Sequence, residues 1–181
     1  MELKKIVCII SLLVLLVINN SCKMNKTAED WNKEGEDLYK GGKSFEALKC
    51  YEQALKIDPK FTRAWDNKAH LVVTYNSDYQ EALNCYEKVL VYDPENIEIL
   101  ISKGAMFIFL KKFDDAAACY DKAIAINPKR ADVWSEKALP LILAHNYTEA
   151  LKCYDKAIEL DPNKAEYKES RKDCLKQLKN K

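Results

Sequence analysis

Histidine is nearly absent from this chain. His70 and His145 are the only two in 181 residues, and they stand far apart. No CxxC or HxxxH spacing accompanies them, so the usual sequence signs of a metal site are missing. Glycine (4) and proline (5) are too scarce for a loop-rich β protein. There is no glycine-rich phosphate loop, serine-nucleophile motif or carboxylate dyad. Charge of one sign is not in excess either: 29 basic residues face 28 acidic ones, a net charge of +1. The only basic run is the tail Lys172, Lys176, Lys179 and Lys181. Phosphate binding needs concentrated positive charge, so nucleic acid is not expected as a partner. These absences predict a chain without catalysis, cofactor or metal.

What is plentiful is repetition. EALKCYEQALKIDP at residues 46–59 returns as EALNCYEKVLVYDP at 81–94, DAAACYDKAIAINP at 115–128 and EALKCYDKAIELDP at 149–162. The closing prolines Pro59, Pro94, Pro128 and Pro162 lie 35, 34 and 34 residues apart. A fixed period of this size implies stacked supersecondary units. Within one copy, Ala150, Leu151, Tyr154, Ala157 and Ile158 gather on one helical face. The following proline then stops the helix. A second helix precedes each copy. Its large anchor is Trp31, Trp65, Leu100 or Trp134, and a small residue four positions on, Gly35, Ala69, Gly104 or Ala138, lets two helices approach closely.

Large residue, small residue, Ala, Tyr, Ala and Pro at these spacings resemble the tetratricopeptide repeat family. In the first unit the matching residues are Trp31, Gly35, Ala47, Tyr51, Ala54 and Pro59. The second has Trp65, Ala69, Ala82, Tyr86 and Pro94, with Val89 in a small residue's place. The third has Gly104, Ala116, Tyr120, Ala123 and Pro128, with Leu100 as anchor. The fourth has Trp134, Ala138, Ala150, Tyr154, Ala157 and Pro162. The resemblance implies an all-α, right-handed superhelical solenoid of four units, 28–61, 62–96, 97–130 and 131–164. Residues 165–181 form a capping helix and tail, since an array ends on a helix with a polar outer face. Pro140 lies inside a first helix and predicts a kink, or a departure from α geometry, near Glu136–Leu139.

Residues 1–22 read differently. Lys4 and Lys5 precede the apolar run Ile6–Ile18, which is short for a membrane span and suited to a signal segment. Ser21-Cys22 after it looks like the lipobox of bacterial lipoproteins, although Asn19 stands where a leucine-like residue is usual. Three outcomes stay open: lipid attachment at Cys22, an uncleaved anchor, or simple cleavage. The first two place the protein at a membrane, and the location expected is membrane-anchored or exported, on the extracytoplasmic face of a prokaryotic cell. Residues 23–27 then form a short tether.

Cys50, Cys85, Cys119 and Cys153 recur one residue before each tyrosine. Successive repeats set them too far apart for disulfides, so they read as small packing residues. With Cys174 they make an odd set of five, at odds with an oxidising compartment, so either the host environment is reducing or the protein faces the cytosol.

The family pattern implies that the first helices line a concave groove. The residues expected to face it are Asn32, Glu36 and Tyr39; Asp66, His70 and Val73; Ile101, Ala105 and Ile108; Ser135, Leu139 and Ile142. Such a groove, half polar and half aliphatic, fits a peptide or an amphipathic helix. The function expected is a membrane-tethered protein–protein scaffold. An envelope assembly factor acting through self-association is the alternative.

Overall fold

A computed structural model describes residues 26–180. The expected signal segment 1–22, with its lipid site at Cys22, and most of the tether lie outside the described residues. Among the described residues there are nine helices and no strands. They are α1 (Ala28–Lys40), α2 (Ser44–Ile57), α3 (Thr62–Asn76), α4 (Tyr79–Tyr92), α5 (Ile97–Phe109), α6 (Phe113–Ile126), α7 (Ala131–Leu143), α8 (Tyr147–Leu160) and α9 (Ala165–Lys179). No described helix is long and apolar enough to cross a membrane. The chain divides into two compact units, the first ending at Ala64 and the second beginning at Trp65.

In the first unit, α1 and α2 pack as an antiparallel pair. Thr27 and Asp30 form a capping box: Thr27 Oγ1 accepts from the Asp30 N–H at 3.1 Å, and Asp30 Oδ2 accepts from the Thr27 N–H at 2.9 Å. Gly35 lies against the ring of Tyr51, so close that a Cβ there would fall 2.5 Å from Tyr51 Cε1. That contact explains the small residue in chemical terms, because the buried ring has no room to swing aside.

The second unit repeats this crossing. Gly104 meets Tyr120, where an added Cβ would fall 2.9 Å from Tyr120 Cζ, and Ala138 shares a core cluster with Tyr154. The first helices bury a second face as well. Ile99, Val133 and Tyr167 occupy one register, and Leu71, Met106, Pro140 and Cys174 another; all are buried. The corresponding residues of α1, Asp30 and Asp37, are exposed. Val133 joins the cluster of Tyr120 and Ile124, and Cys174 joins that of Tyr154 and Cys153. Helix α9 thus stands where the first helix of another repeat would stand. Lys172 occupies its small-residue position and is exposed.

Ion pairs run alongside these contacts. Lys103–Glu87, Lys137–Asp121 and Arg171–Asp155 each span 16 residues and join a first helix to the second helix before it. Pairs this near the surface contribute at most about 1 kcal/mol each, so their value lies in register more than stability.

The turns inside the pairs share one solution. Lys43, Lys112 and Asn146 donate their N–H five residues back, to the carbonyls of Leu38, Phe107 and Leu141. The residue before each donor, Gly42, Lys111 or His145, has positive φ, as a Schellman motif requires. In the second pair, Ser77 takes that role and Asp78 reaches six residues back to Val72. This wider turn accommodates the extra residue of the 35-residue unit.

Left-handed backbone is nearly free for glycine and costs other L-residues. Gly42→Ala should therefore destabilise by about 1 kcal/mol, although its Cβ would meet nothing within 4 Å. Lys111→Gly should stabilise by about 0.5–1 kcal/mol. Urea denaturation checks both, and equal signs for the two variants would contradict the backbone account.

Pro140 does not interrupt its helix. Helix α7 is α-helical from Ala131 to Leu143, so the expected departure from α geometry does not occur. Pro140 is fully buried, in the register that Leu71, Met106 and Cys174 also fill. Its ring serves the core at the cost of one backbone hydrogen bond.

Candidate functional site

Partner-facing side chains must come from first-helix surface that neither packing face covers. Of the expected groove residues, Asn32 is fully buried and donates Nδ2–H to Glu36 Oε1 at 2.8 Å. Glu36, Tyr39, Val73, Ile101, Ala105, Ile108, Ser135 and Ile142 are half-buried. Ile101 and Ile108 pack against the core around Tyr120, and Ile142 against that around Tyr154. Asp66, His70 and Leu139 are exposed.

The pattern caught Leu139 and Ala105 but missed their neighbours in the same row of each helix. On α7, Asp132, Glu136, Leu139 and Leu143 follow at i, i+4, i+7 and i+11, which places them on one face. Leu139 is 47% exposed and Leu143 41%, unusually open for leucines in an ordered helix. On α5 the same register holds Glu98, Ser102, Ala105 and Phe109, and Phe109 is 59% exposed. Its ring stacks on Tyr79 with centroids 4.7 Å apart. Both helices carry acid toward their N-terminal ends and apolar groups toward their C-terminal ends. The signal was present in the spacing, but only the packing of the helices shows which of several apolar positions stay uncovered.

Arg130 ties the acidic ends together by pairing with both Glu98 and Asp132. These hydrogen bonds hold Asp132 below the usual carboxylate range and raise Arg130 further. Glu136 has no such pair. Desolvation raises its pKa, Asp132 beside it adds like charge, and Arg130 opposes the rise. Glu136 is exposed as a residue, so this desolvation is partial: the helix surface hems in the carboxyl without closing over it. Asp66 on α3 is also raised by desolvation, with His70 opposing.

The tyrosines behind this face are anchored from the same side. Tyr86 is hydrogen-bonded with Ser102, and Tyr154 with Ser170. Trp134 donates its Nε1–H to the carbonyl of Pro128 at 3.0 Å, which fixes the start of α7.

All five described cysteines are free and buried. Burial pushes the Cys85 thiol up to about 12 and Cys153 up to about 11, and raises the other three. Thiols held protonated and covered react slowly with oxidants, so the odd set of five does not decide the compartment. At pH 8 these thiols should resist a thiol reagent in the native protein and react fully after unfolding without reductant. A disulfide between any two would overturn the stacking. The folded thiols keep protons that the unfolded chain releases above about pH 9, so they make stability fall as pH rises past that value.

Two family models described as tetratricopeptide repeat match the chain, one over residues 28–61 and 131–164 and the other over residues 74–139. No curated protein sequence matches it. Solved structures share the fold. MamA from Desulfovibrio magneticus RS-1 superposes with a TM-score of 0.69 at 18% identity, covering 84% of this chain and 92% of that one. A tetratricopeptide repeat protein from Parabacteroides merdae gives 0.73 at 26% identity, covering 83% of this chain and 59% of its own. The first such domain of Spaghetti (RPAP3), solved bound to the HSP90 peptide SRMEEVD, gives 0.60 at 25% identity, covering 67% and 95%.

Proposed function

The chain belongs to the tetratricopeptide repeat family, and from that premise we propose that it is a protein–protein interaction scaffold that acts by binding rather than by catalysis. The observation that carries this reading is the set of side chains on its first helices that packing leaves open, Leu139 foremost. A family member solved with a bound peptide supports the same use of the fold. The peptide's acidic character does not transfer, because Glu36 and Glu98 put negative charge on the first helices here. The expected groove residues, from Asn32 to Ile142, contribute to this reading as the surroundings of Leu139 rather than as a defined contact list.

A photo-crosslinking residue placed at position 139 tests the scaffold reading, with one at Lys152, exposed on the second helix of the same pair, as control. Adducts specific to position 139 are expected in the host cell. An adduct of twice the chain's own mass would make self-association the function. Equal adducts at both positions, or none, would refute the scaffold.

The membrane tether belongs to this proposal too, with Cys22 as its lipid-bearing residue on the extracytoplasmic side. Cys22→Ala should leave an unprocessed precursor that intact mass distinguishes from the lipidated chain. A variant processed like the native protein would replace lipid attachment with simple signal cleavage.

A further inference from the structure

The uncovered face of α5 and α7 carries two bands. Glu98, Asp132 and Glu136 form an acidic band, and Leu139, Leu143 and Phe109 an apolar one, each running across both helices. Among charged groups beside the acidic band, Arg130 pairs with Glu98 and Asp132, while Lys164 faces Glu136 and pairs with Glu166. Four carboxylates against two cations leave a net negative charge. An occupant bringing more acid would meet that charge without compensation. A purely apolar occupant would cover Glu136, which neither Arg130 nor Lys164 pairs directly, and deepen the desolvation of its carboxylate, which is costly.

We propose that this face selects a basic amphipathic helix, its lysines or arginines over Glu98, Asp132 and Glu136 and its apolar side on Leu139, Leu143 and Phe109. This rests on the scaffold reading and adds the chemistry of the partner. Charge complementarity sets the orientation and the choice of partner, and the leucines supply the buried contact. The raised pKa of Glu136 agrees with a carboxylate whose desolvation Arg130 and Lys164 only partly offset.

The test uses the full chain and three fluorescent probe peptides of about 18 residues, long enough to cross both helices. One is helical with leucines on one side and lysines on the other. The second replaces the lysines with glutamates, and the third scrambles the order of the first. Fluorescence anisotropy should show the basic amphipathic probe binding at least about tenfold tighter than either control. Glu136→Lys and Leu139→Ser should each weaken it about tenfold. Both residues are exposed, and circular dichroism verifies that the variants fold. Absence of binding by the basic probe, equal binding of the scrambled peptide, or indifference to Glu136→Lys would overturn the proposal. If the acidic probe binds instead and Leu139→Ser releases it, the scaffold reading stands and the basic partner falls.

Discussion

Ala138→Leu is expected to destabilise the protein by about 1–3 kcal/mol, with a lower midpoint in thermal and urea denaturation. Ala138 is completely buried and sits in one cluster with Ala150, Cys153, Tyr154 and Cys174. It holds the position that Gly35 and Gly104 hold in their repeats. At those glycines a single added carbon already comes within 2.5 and 2.9 Å of a tyrosine ring. Leucine adds three carbons to alanine at the equivalent crossing. Core side chains are packed as densely as organic crystals, so the new atoms must be accommodated by moving α7 from α8 or by displacing Tyr154. Either movement also disturbs Cys174, and with it the seating of α9. Lys152→Leu, at an exposed site, should change stability by less than about 0.5 kcal/mol and serves as control. Equal midpoints for Ala138→Leu and the native chain would refute the crossing geometry.

Pro140→Met should shift stability the other way, by about 2 kcal/mol. Proline costs about 3 kcal/mol relative to alanine in a helix interior, through the missing N–H and the crowded carbonyl of Glu136. Helix α7 remains α-helical in spite of that cost because the ring is buried where Leu71 and Met106 sit in their own repeats. Methionine restores the backbone bond and keeps the site filled, and its flexible chain adapts to the space. Pro140→Ala restores the same bond but removes buried methylenes at about 0.8 kcal/mol each, so its gain should be only about 1 kcal/mol. The expected order of midpoints is therefore Met, then Ala, then the native chain. Destabilisation by both variants would mean that the ring's packing outweighs the lost hydrogen bond. Leu139 adjoins Pro140, so binding of the basic amphipathic probe should be followed in the same variants. Weaker binding in a stabilised variant would show that the proline shapes the partner face.

The turns show where local reading stops. Gly42 announces its conformation in the sequence, since glycine is the usual residue for positive φ. Ser77, Lys111 and His145 adopt the same backbone without announcing it. Their conformation follows from the Schellman hydrogen bonds and from two helices that must reverse direction over the same few residues. The cap behaves alike. Its charged sequence marks an end, whereas the burial of Tyr167 and Cys174 in first-helix registers emerges only when α9 meets α8.

By itself the sequence determined the all-α repeat architecture, the helix pairs and the packing role of the cysteines. Those properties depend on period and residue size, which act within one unit and are copied in each. Only the tertiary structure decided that Ile101, Ile108 and Ile142 lean on the core while Leu139 and Leu143 stay open beside Asp132 and Glu136. From α5 onward, a first helix packs against its own partner and against the helix before it. Periodicity marks apolar positions around the helix but cannot divide them between two packing faces and a free one. That division depends on how neighbouring helices cross, and it leaves the acidic and apolar bands on the surface.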